Sequence, residues 1–250
     1  MNNTFDKYLM ENMSWPEVAE ALNDVKLAII PIGAHEQHGP HLAESCDAIR
    51  AEKFSELLAE RMHPLTIVTP TINFGISPHH MPFPGTITLK PTTLIALLKD
   101  IIGSLKEHGI NKILILNSHG GNDDTLGAAI DEIRKEIDIS IASVKYTNLS
   151  PKSIDKHVES KYFGHACERE VSEIKYLAPE YLKEDRITKG KLKESIKYYF
   201  SPLNIGEDFD IYTENGALGN ANNASIEIGE DIINEALDNA EKYIMEFIEK

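Results

Sequence analysis

Apolar residues recur along this chain with two different periods, and the two alternate. Residues 25–32, 65–72, 113–116 and 139–144 are nearly continuous apolar runs, the pattern of parallel strands covered on both faces. Between them the spacing changes to the three-and-four rhythm of a helix that buries one side. Ile49, Phe54, Leu57, Leu58 and Met62 form one such stripe over residues 48–62; Leu94, Leu97, Leu98, Ile101, Ile102 and Leu105 form another, stopped by Gly109. Leu126, Ala129, Ile130, Ile133 and Ile137 mark a third, and Val171, Ile174 and Leu177 a fourth over residues 167–177, ended by Pro179. A short helix opens at Ser14 with Pro16 in its first turn, Ser serving as cap, and turns Val18, Ala21 and Leu22 inward. A long one closes the chain on Ile232, Ile233, Ala236, Leu237, Ala240, Ile244, Phe247 and Ile248. Alternating strands and helices predict an α/β fold, a mostly parallel sheet with helices on both sides, over residues 1–250 as a single domain.

The polar residues are less evenly spread. The run AIIPIGAHEQHGPHLAESCD, residues 28–47, reads as a buried strand up to Ile32 and Gly33, then places His35, Glu36, His38 and His41 within seven positions. Residues two apart in an extended segment point the same way, so Glu36 and His38 present a carboxylate and an imidazole to one spot, roughly 6–7 Å apart along the chain. Asp47 follows where the next helix begins and completes a set of O and N donors that zinc, manganese or iron accepts. The strand at 113–116 runs into Asn117-Ser118-His119-Gly120-Gly121-Asn122, which puts His119 at the carboxyl end of a parallel strand, where open α/β sheets bind ligands. Seven of the ten histidines lie in four short places, His35/His38/His41, His79/His80, His119 and His165, each near Gly or Pro. Clustering of this kind points to metal rather than to isolated core histidines. Residues 75–89, GISPHHMPFPGTITL, hold three prolines and two glycines and form a shaped loop. Residues 215–229 form a second loop rich in Gly and Asn, while 181–209 carry no clear pattern.

Such a centre supports hydrolysis, because a divalent ion lowers the pKa of bound water towards ~7 and polarises a carbonyl oxygen. Asp47 is the natural bridge between two ions. A departing amine needs a proton, and His165 is the candidate donor. Net charge narrows the substrate: at −15, with no basic cluster, the surface repels a phosphate backbone, leaving small molecules as the partners and excluding nucleic acid. No apolar run approaches the ~20 residues needed to span a bilayer, and residues 1–9 are too polar for a signal peptide, so a cytoplasmic protein is expected. A hydrophobic fraction of 42% and a charged fraction of 26% are ordinary for a globular domain. The two cysteines, Cys46 and Cys167, are expected to be free thiols.

PIGAHEQHGPHL with Asp47, GISPHHMPFPGT, NSHGGN, HACEREVS and GALGNANNASIEIG follow one another in this chain as the signature segments of the creatininase (creatinine amidohydrolase) family do, and the chain resembles that family from Pro31 to Gly229. The resemblance implies a three-layer α/β/α sandwich, two divalent metal ions, hydrolysis of a carbon-nitrogen amide-type bond, and a homo-oligomer, commonly a hexamer. It implies that Glu36, His38, Asp47 and His119 are metal ligands with Asp47 bridging, and that His165 transfers the proton. Creatininase itself has a ligating glutamate two residues after the histidine, where this chain has Gly121. Glu170 is the candidate replacement, with Glu168 as fallback; for both, a helix start that favours acidic residues is the plain alternative. Ser77, His80, Gly120 and Gly121 are candidate substrate-binding positions; Ser77, Thr86 and Asn122 either bind substrate or tie loops together, and Gly120 and Gly121 otherwise serve the turn sterically. His79 and Val171 depart from the family's glutamate and threonine, and the single tryptophan, Trp15, is remote from every motif, which argues against creatinine as substrate. The formamide of a pyrimidine intermediate in flavin or deazaflavin biosynthesis is favoured over a modified peptide or a cyclic amide. Two rival readings remain: a catalytically silent scaffold, suggested by Gly121, and a hydrolase using the Cys167 thiolate. Tyr198, Tyr199 and Phe200 serve either a subunit contact or the core.

Overall fold

The computed structural model describes residues 7–203 and 205–250; the polar opening at 1–6 lies outside the described residues. Four parallel strands, β1 (Leu27–Ile32), β2 (Thr66–Val68), β3 (Lys112–Asn117) and β4 (Ser140–Lys145), form one sheet in the order β2-β1-β3-β4. Residue alternation divides the core into two layers. Leu27, Ile29, Leu114 and Leu116 face α2 (Cys46–Met62) and the closing helix, α8 (Ile226–Glu249); Ala28, Ile30, Ile32, Ile113 and Ile115 face α3 (Pro91–Glu107) and α4 (Asp123–Glu136). The fold is therefore the three-layer α/β/α sandwich that the sequence implies.

Topology positions the site. From β1 the chain crosses through α2 to β2 on one side, then returns through α3 to β3 on the other. Parallel crossovers are right-handed, so opposite directions of travel put the helices on opposite faces. The segments leaving β1 and β3 consequently diverge and open a crevice above their carboxyl ends, the switch point at which such sheets bind ligands.

Several expectations need correction. The strand expected over 65–72 is regular only through Val68, because Pro70 has no N–H to give to a ladder; the chain still runs beside β1, with Thr69 N–H donating to the Ile29 carbonyl at 3.0 Å and Ile72 N–H to that of Pro31 at 2.9 Å. The buried stripe of α3 is narrower than its apolar pattern, comprising Leu94, Leu98, Ile102 and Leu105, while Leu97 is 37% exposed. The loop expected over 215–229 ends early, since α8 begins at Ile226 with the Ser225 hydroxyl accepting from Ile228 N–H at 3.3 Å. Gly229 then lies inside a helix because a Cβ there would stand 2.0 Å from the Ser172 carbonyl oxygen. This close approach packs α8 against α6 (Glu168–Leu177). A helix that the apolar pattern does not mark, α5 (Pro151–His157), is held to α8 by the Glu235 carboxylate, which accepts from the backbone N–H groups of Lys152 and Ser153. Among the described residues of the unpatterned 181–209 the chain forms short turns and α7 (Ile196–Tyr199), organised around Ile196, Phe209, Tyr212 and Leu218. The opening helix, α1 (Trp15–Ala21), carries the Ser14/Glu17 capping box and leaves Trp15 82% exposed. Cys46 and Cys167 are buried free thiols. Among the described residues no helix is long and apolar enough to cross a membrane.

Candidate metal centre

Gly33 allows the centre to assemble. A Cβ at this position would lie 2.3 Å from the Ala48 nitrogen and 2.5 Å from the Asp47 carbonyl carbon. Its absence lets the first turn of α2 sit on the end of β1, which delivers Asp47 to the segment carrying Glu36 and His38. Ser118 Oγ donates to the Asp47 carbonyl at 2.7 Å, tying the same turn to the end of β3. His119 is fixed by reciprocal bonds, its N–H donating to Asn117 Oδ1 at 3.0 Å and Asn117 Nδ2 donating to its carbonyl at 2.7 Å. Asn122, fully buried, ties three loops: its Nδ2 donates to the Gly33 carbonyl at 3.0 Å and its Oδ1 accepts from Ile76 N–H at 2.9 Å.

Besides the sets Glu36/His38/His165 and Glu36/His79/His80, two triads of donor atoms result that share one carboxylate. Glu36, Asp47 and His119 form the first; His38, Asp47 and Glu170 form the second. Asp47 Oδ2 lies 3.1 Å from His119 Nδ1, which is also 3.3 Å from Glu36 Oε1. Asp47 Oδ1 lies 3.4 Å from His38 Nε2, which is 3.8 Å from Glu170 Oε2. The imidazoles are turned correctly for metal: His119 Nε2 donates to the Ile76 carbonyl at 3.0 Å and His38 Nδ1 to the Glu36 carbonyl at 3.1 Å. Each ring thus directs its other nitrogen, unprotonated in the neutral form, at the carboxylates.

Divalent ions fit these donors. Glu36 Oε2, His38 Nε2 and Asp47 Oδ2 are buried without a hydrogen bond of acceptable geometry, a costly arrangement unless another group satisfies them. Burial, the largest single influence, raises the Glu36 and Asp47 carboxyls, but the surrounding imidazoles outweigh it and hold both well below the usual carboxylate range. Burial likewise lowers His38 and His119, yet Cys46 and Asp47 lift His38, and Glu36 and Asp47 lift His119, well above an ordinary imidazole. Without a cation the carboxylates keep protons on these rings.

The remaining candidates fall into place around the triads. Glu170 and Glu168 are separated by geometry: Glu170 faces His38, while Glu168 accepts from Ser160 N–H at 3.1 Å and Asn220 N–H at 2.8 Å and ties loops. His165 Nε2 donates to the Gln37 carbonyl at 2.8 Å, leaving Nδ1 3.6 Å from Glu36 Oε1. Burial, reinforced by the charge of His38, lowers its pKa to about 4. His80 stacks on His165 at 4.5 Å and on Phe209 at 4.5 Å, its Nε2 being 3.5 Å from Glu36 Oε1. Ser77 Oγ is 3.3 Å from His119 Nε2. Gly121 lies against His119, whereas Gly120 is exposed, with Lys145 Nζ the nearest atom to a Cβ built there at 3.8 Å. His35 and His41 turn away, His35 towards Glu44 at 3.5 Å and His41 towards the Ala166 carbonyl at 2.9 Å. Cys167 is fully buried, and burial pushes its thiol up to about 11, which denies it a thiolate. Tyr198, Tyr199 and Phe200 are 49%, 42% and 42% exposed, so they are not core residues.

Two neighbours escaped the sequence reading. Gln37 Nε2 lies 2.8 Å from His80 Nδ1 and 2.9 Å from His165 Nε2, and Arg50, fully buried, touches both Asp47 and Glu170. The available signal was weak: a glutamine inside the Glu36/His38 segment, and an arginine within an apolar helical stripe three residues after an aspartate.

Comparison with known proteins is consistent across the chain. The family model described as Creatininase: Creatinine amidohydrolase matches residues 11–244. A mycofactocin precursor peptide peptidase of Mycobacterium ulcerans is 28% identical over 184 residues, 71% of this chain and 64% of that protein, so the chain spans less than two thirds of that relative's length. A 3-dehydro-scyllo-inosose hydrolase of Thermotoga maritima is 27% identical over 263 residues, covering 96% of this chain and 83% of that one. A solved structure described as creatininase Mn superimposes with a TM-score of 0.84 at 25% identity, over 97% of this chain and 99% of that chain.

Proposed function

The chain belongs to the creatininase family, and from that premise we propose that it is a metal-dependent amidohydrolase with a dinuclear centre. The observation that carries the reading is the division of Asp47, one oxygen turned to His38 and the other to His119. Glu36, Asp47 and His119 would hold one ion, and His38, Asp47 and Glu170 the second. Divalent ions bound there supply a Lewis acid and an acidified water.

The chain's own groups do the rest. In the tautomer that carries its proton on Nε2 and donates to the Gln37 carbonyl at 2.8 Å, His165 turns Nδ1 to the centre as a base. With its pKa lowered to about 4, the ring is neutral at pH 7 and takes a proton at Nδ1, then passes it to the departing nitrogen. Glu170, 3.8 Å from His38 Nε2, would take the role left vacant at Gly121, which favours the hydrolase over a silent scaffold. Buried Ser77 and His80 exclude water beside the triads. His79, Tyr199 and buried Phe209 cluster their rings beside His80 and His165, with His79 6.5 Å and Tyr199 5.5 Å from Phe209. Such a wall suits a planar ring, and a formamide on a pyrimidine is the substrate we favour. Likeness to a peptide peptidase supports the alternative of a short peptide. Exposed Tyr198, Tyr199, Phe200 and Leu203 are proposed as part of a contact between copies of the chain.

Protein loaded separately with Mn(II), Zn(II) or Fe(II) and offered a formamidopyrimidine, short peptides and creatinine tests this directly. Metal-dependent release of formate is the expected result. Full activity in chelator, with no divalent metal in the purified protein, overturns the reading.

A further inference from the structure

Behind the second triad lies a buried charge cluster that the proposed reaction does not use. Arg50, 0% exposed, directs Nη1 to Asp47 Oδ1 at 3.1 Å and to Glu170 Oε1 at 2.9 Å. Its other edge is clamped from behind. Nε donates to Glu173 Oε2 at 2.7 Å and Nη2 is 2.5 Å from the same oxygen, while the Tyr146 hydroxyl, 2.9 Å from Nε, also donates to Glu173 Oε2 at 2.5 Å. The spacing explains the convergence. Asp47 and Arg50 lie three apart on α2, and Glu170 and Glu173 three apart on α6, so each pair shares a helix face.

We propose that Arg50 is a positioning residue chiefly for the second cation site, its guanidinium holding Asp47 at Oδ1, the oxygen turned to His38, and Glu170 at Oε1 so that Glu170 Oε2 faces His38. The inference rests on the metal reading of the two triads. Among the described residues the polar partners of Arg50 are Asp47, Tyr146, Glu170 and Glu173. Glu36 and His119 are not among them; the His119 ring is set by the Ile76 carbonyl. Glu170 has one oxygen held by Arg50 and Arg169, and the other accepts from Ala166 N–H at 2.6 Å while facing His38. Nη1 reaches both carboxylates while Nε and Nη2 are held by Glu173, an orientation of the planar guanidinium that a lysine ammonium does not reproduce.

Titrating metal-stripped protein with Mn(II) while following heat and bound stoichiometry distinguishes positioning from simple packing. Wild type should take two ions. In Arg50→Lys and Arg50→Met the second ion should weaken about 10–100-fold, the usual effect of losing a residue that orients a ligand, and the ion of the Glu36/Asp47/His119 triad, which meets Arg50 only through Asp47, should weaken less. Glu173→Gln, which loosens Arg50 without touching the centre, should shift the second ion in the same direction by less, and it serves where an Arg50 variant fails to fold. Adding Arg50→Lys to Glu170→Gln should weaken that ion no further, because both remove the same arrangement. Two ions bound normally in both Arg50→Lys and Glu173→Gln, equal weakening of both ions, or full rescue by lysine overturns the inference while leaving the metal reading intact. A wild type that binds fewer than two ions overturns both.

Discussion

Gly121 lies so close to His119 that a methyl group there would come within 2.4 Å of the ring nitrogen Nε2, and within 2.2 Å of the Ile76 carbonyl oxygen that this nitrogen bonds. A side chain at this position has no room, so the carboxylate that completes the second triad comes from another element, α6. Gly121→Ala should therefore push the ring off Ile76 and weaken the ion held by Glu36, Asp47 and His119, at a stability cost on the order of 1–3 kcal/mol. Metal analysis and thermal unfolding check this; full metal content at unchanged melting temperature would contradict it.

Asp47→Asn tests the shared carboxylate. An amide offers one oxygen in place of two, and both triads use this residue, so metal content and turnover should fall together. A variant retaining two tightly bound ions would show that Asp47 does not bridge.

His165→Ala separates chemistry from binding. The ring packs against His38 at 4.3 Å and turns Nδ1 to Glu36 Oε1 at 3.6 Å, close enough to form a donor set with both, but it belongs to neither of the two triads joined by Asp47. Metal should stay and kcat should drop about 10²–10⁴-fold, the usual contribution of a positioned acid or base. Loss of metal from this variant would make His165 a ligand instead.

Metal uptake should depend on pH with a definite sign. His38 and His119 are lifted above the ordinary imidazole value, so in ion-free protein they carry protons at neutral pH. Those protons stabilise the ion-free fold below about pH 6.5, the unfolded value, and the contribution is lost as pH rises through the raised folded values. An incoming ion must displace them, so affinity should rise with pH across the neutral range. Calorimetric titration in buffers of different ionisation enthalpy reads the released protons; identical heats in all buffers would refute the claim.

Gly229→Ala probes the packing that presents Glu170. A Cβ at this position would meet the Ser172 carbonyl at 2.0 Å and Tyr176 Cβ at 3.0 Å, forcing α8 away from the helix that carries Glu170. The melting temperature should fall by several degrees, about 2–4 °C for each kcal/mol lost in a domain of this size. An unchanged melting temperature would show that the two helices separate without cost.

Periodicity made the layers legible because a strand buried on both faces and a helix buried on one leave different local spacings, as Leu27 to Ile32 and Leu94 to Leu105 show. It failed where a local signal was overridden: Pro70 interrupted an apolar strand, and Gly229 looked like a loop residue until the contact with Ser172 gave it a reason to sit in a helix. The motif residues Glu36, His38, Asp47 and His119 were readable because donor types cluster at predicted strand ends and helix starts. The choice between Glu168 and Glu170 was not, since both lie in one helical turn and differ only in which loop or ring they meet. Arg50 was equally hidden, because its partners come from α2, α6 and the segment after β4.

By itself, then, the order of residues determined which elements form and which side chains bear the chemistry, both of which depend on neighbours a few positions away. The pairing of donors into two triads about Asp47, the turning of each imidazole by a backbone carbonyl, and the clamping of two carboxylates by one buried guanidinium were decided by tertiary structure. These depend on distances and directions between segments 120 residues apart and more, as between Arg50 and Glu170, and no local pattern encodes them.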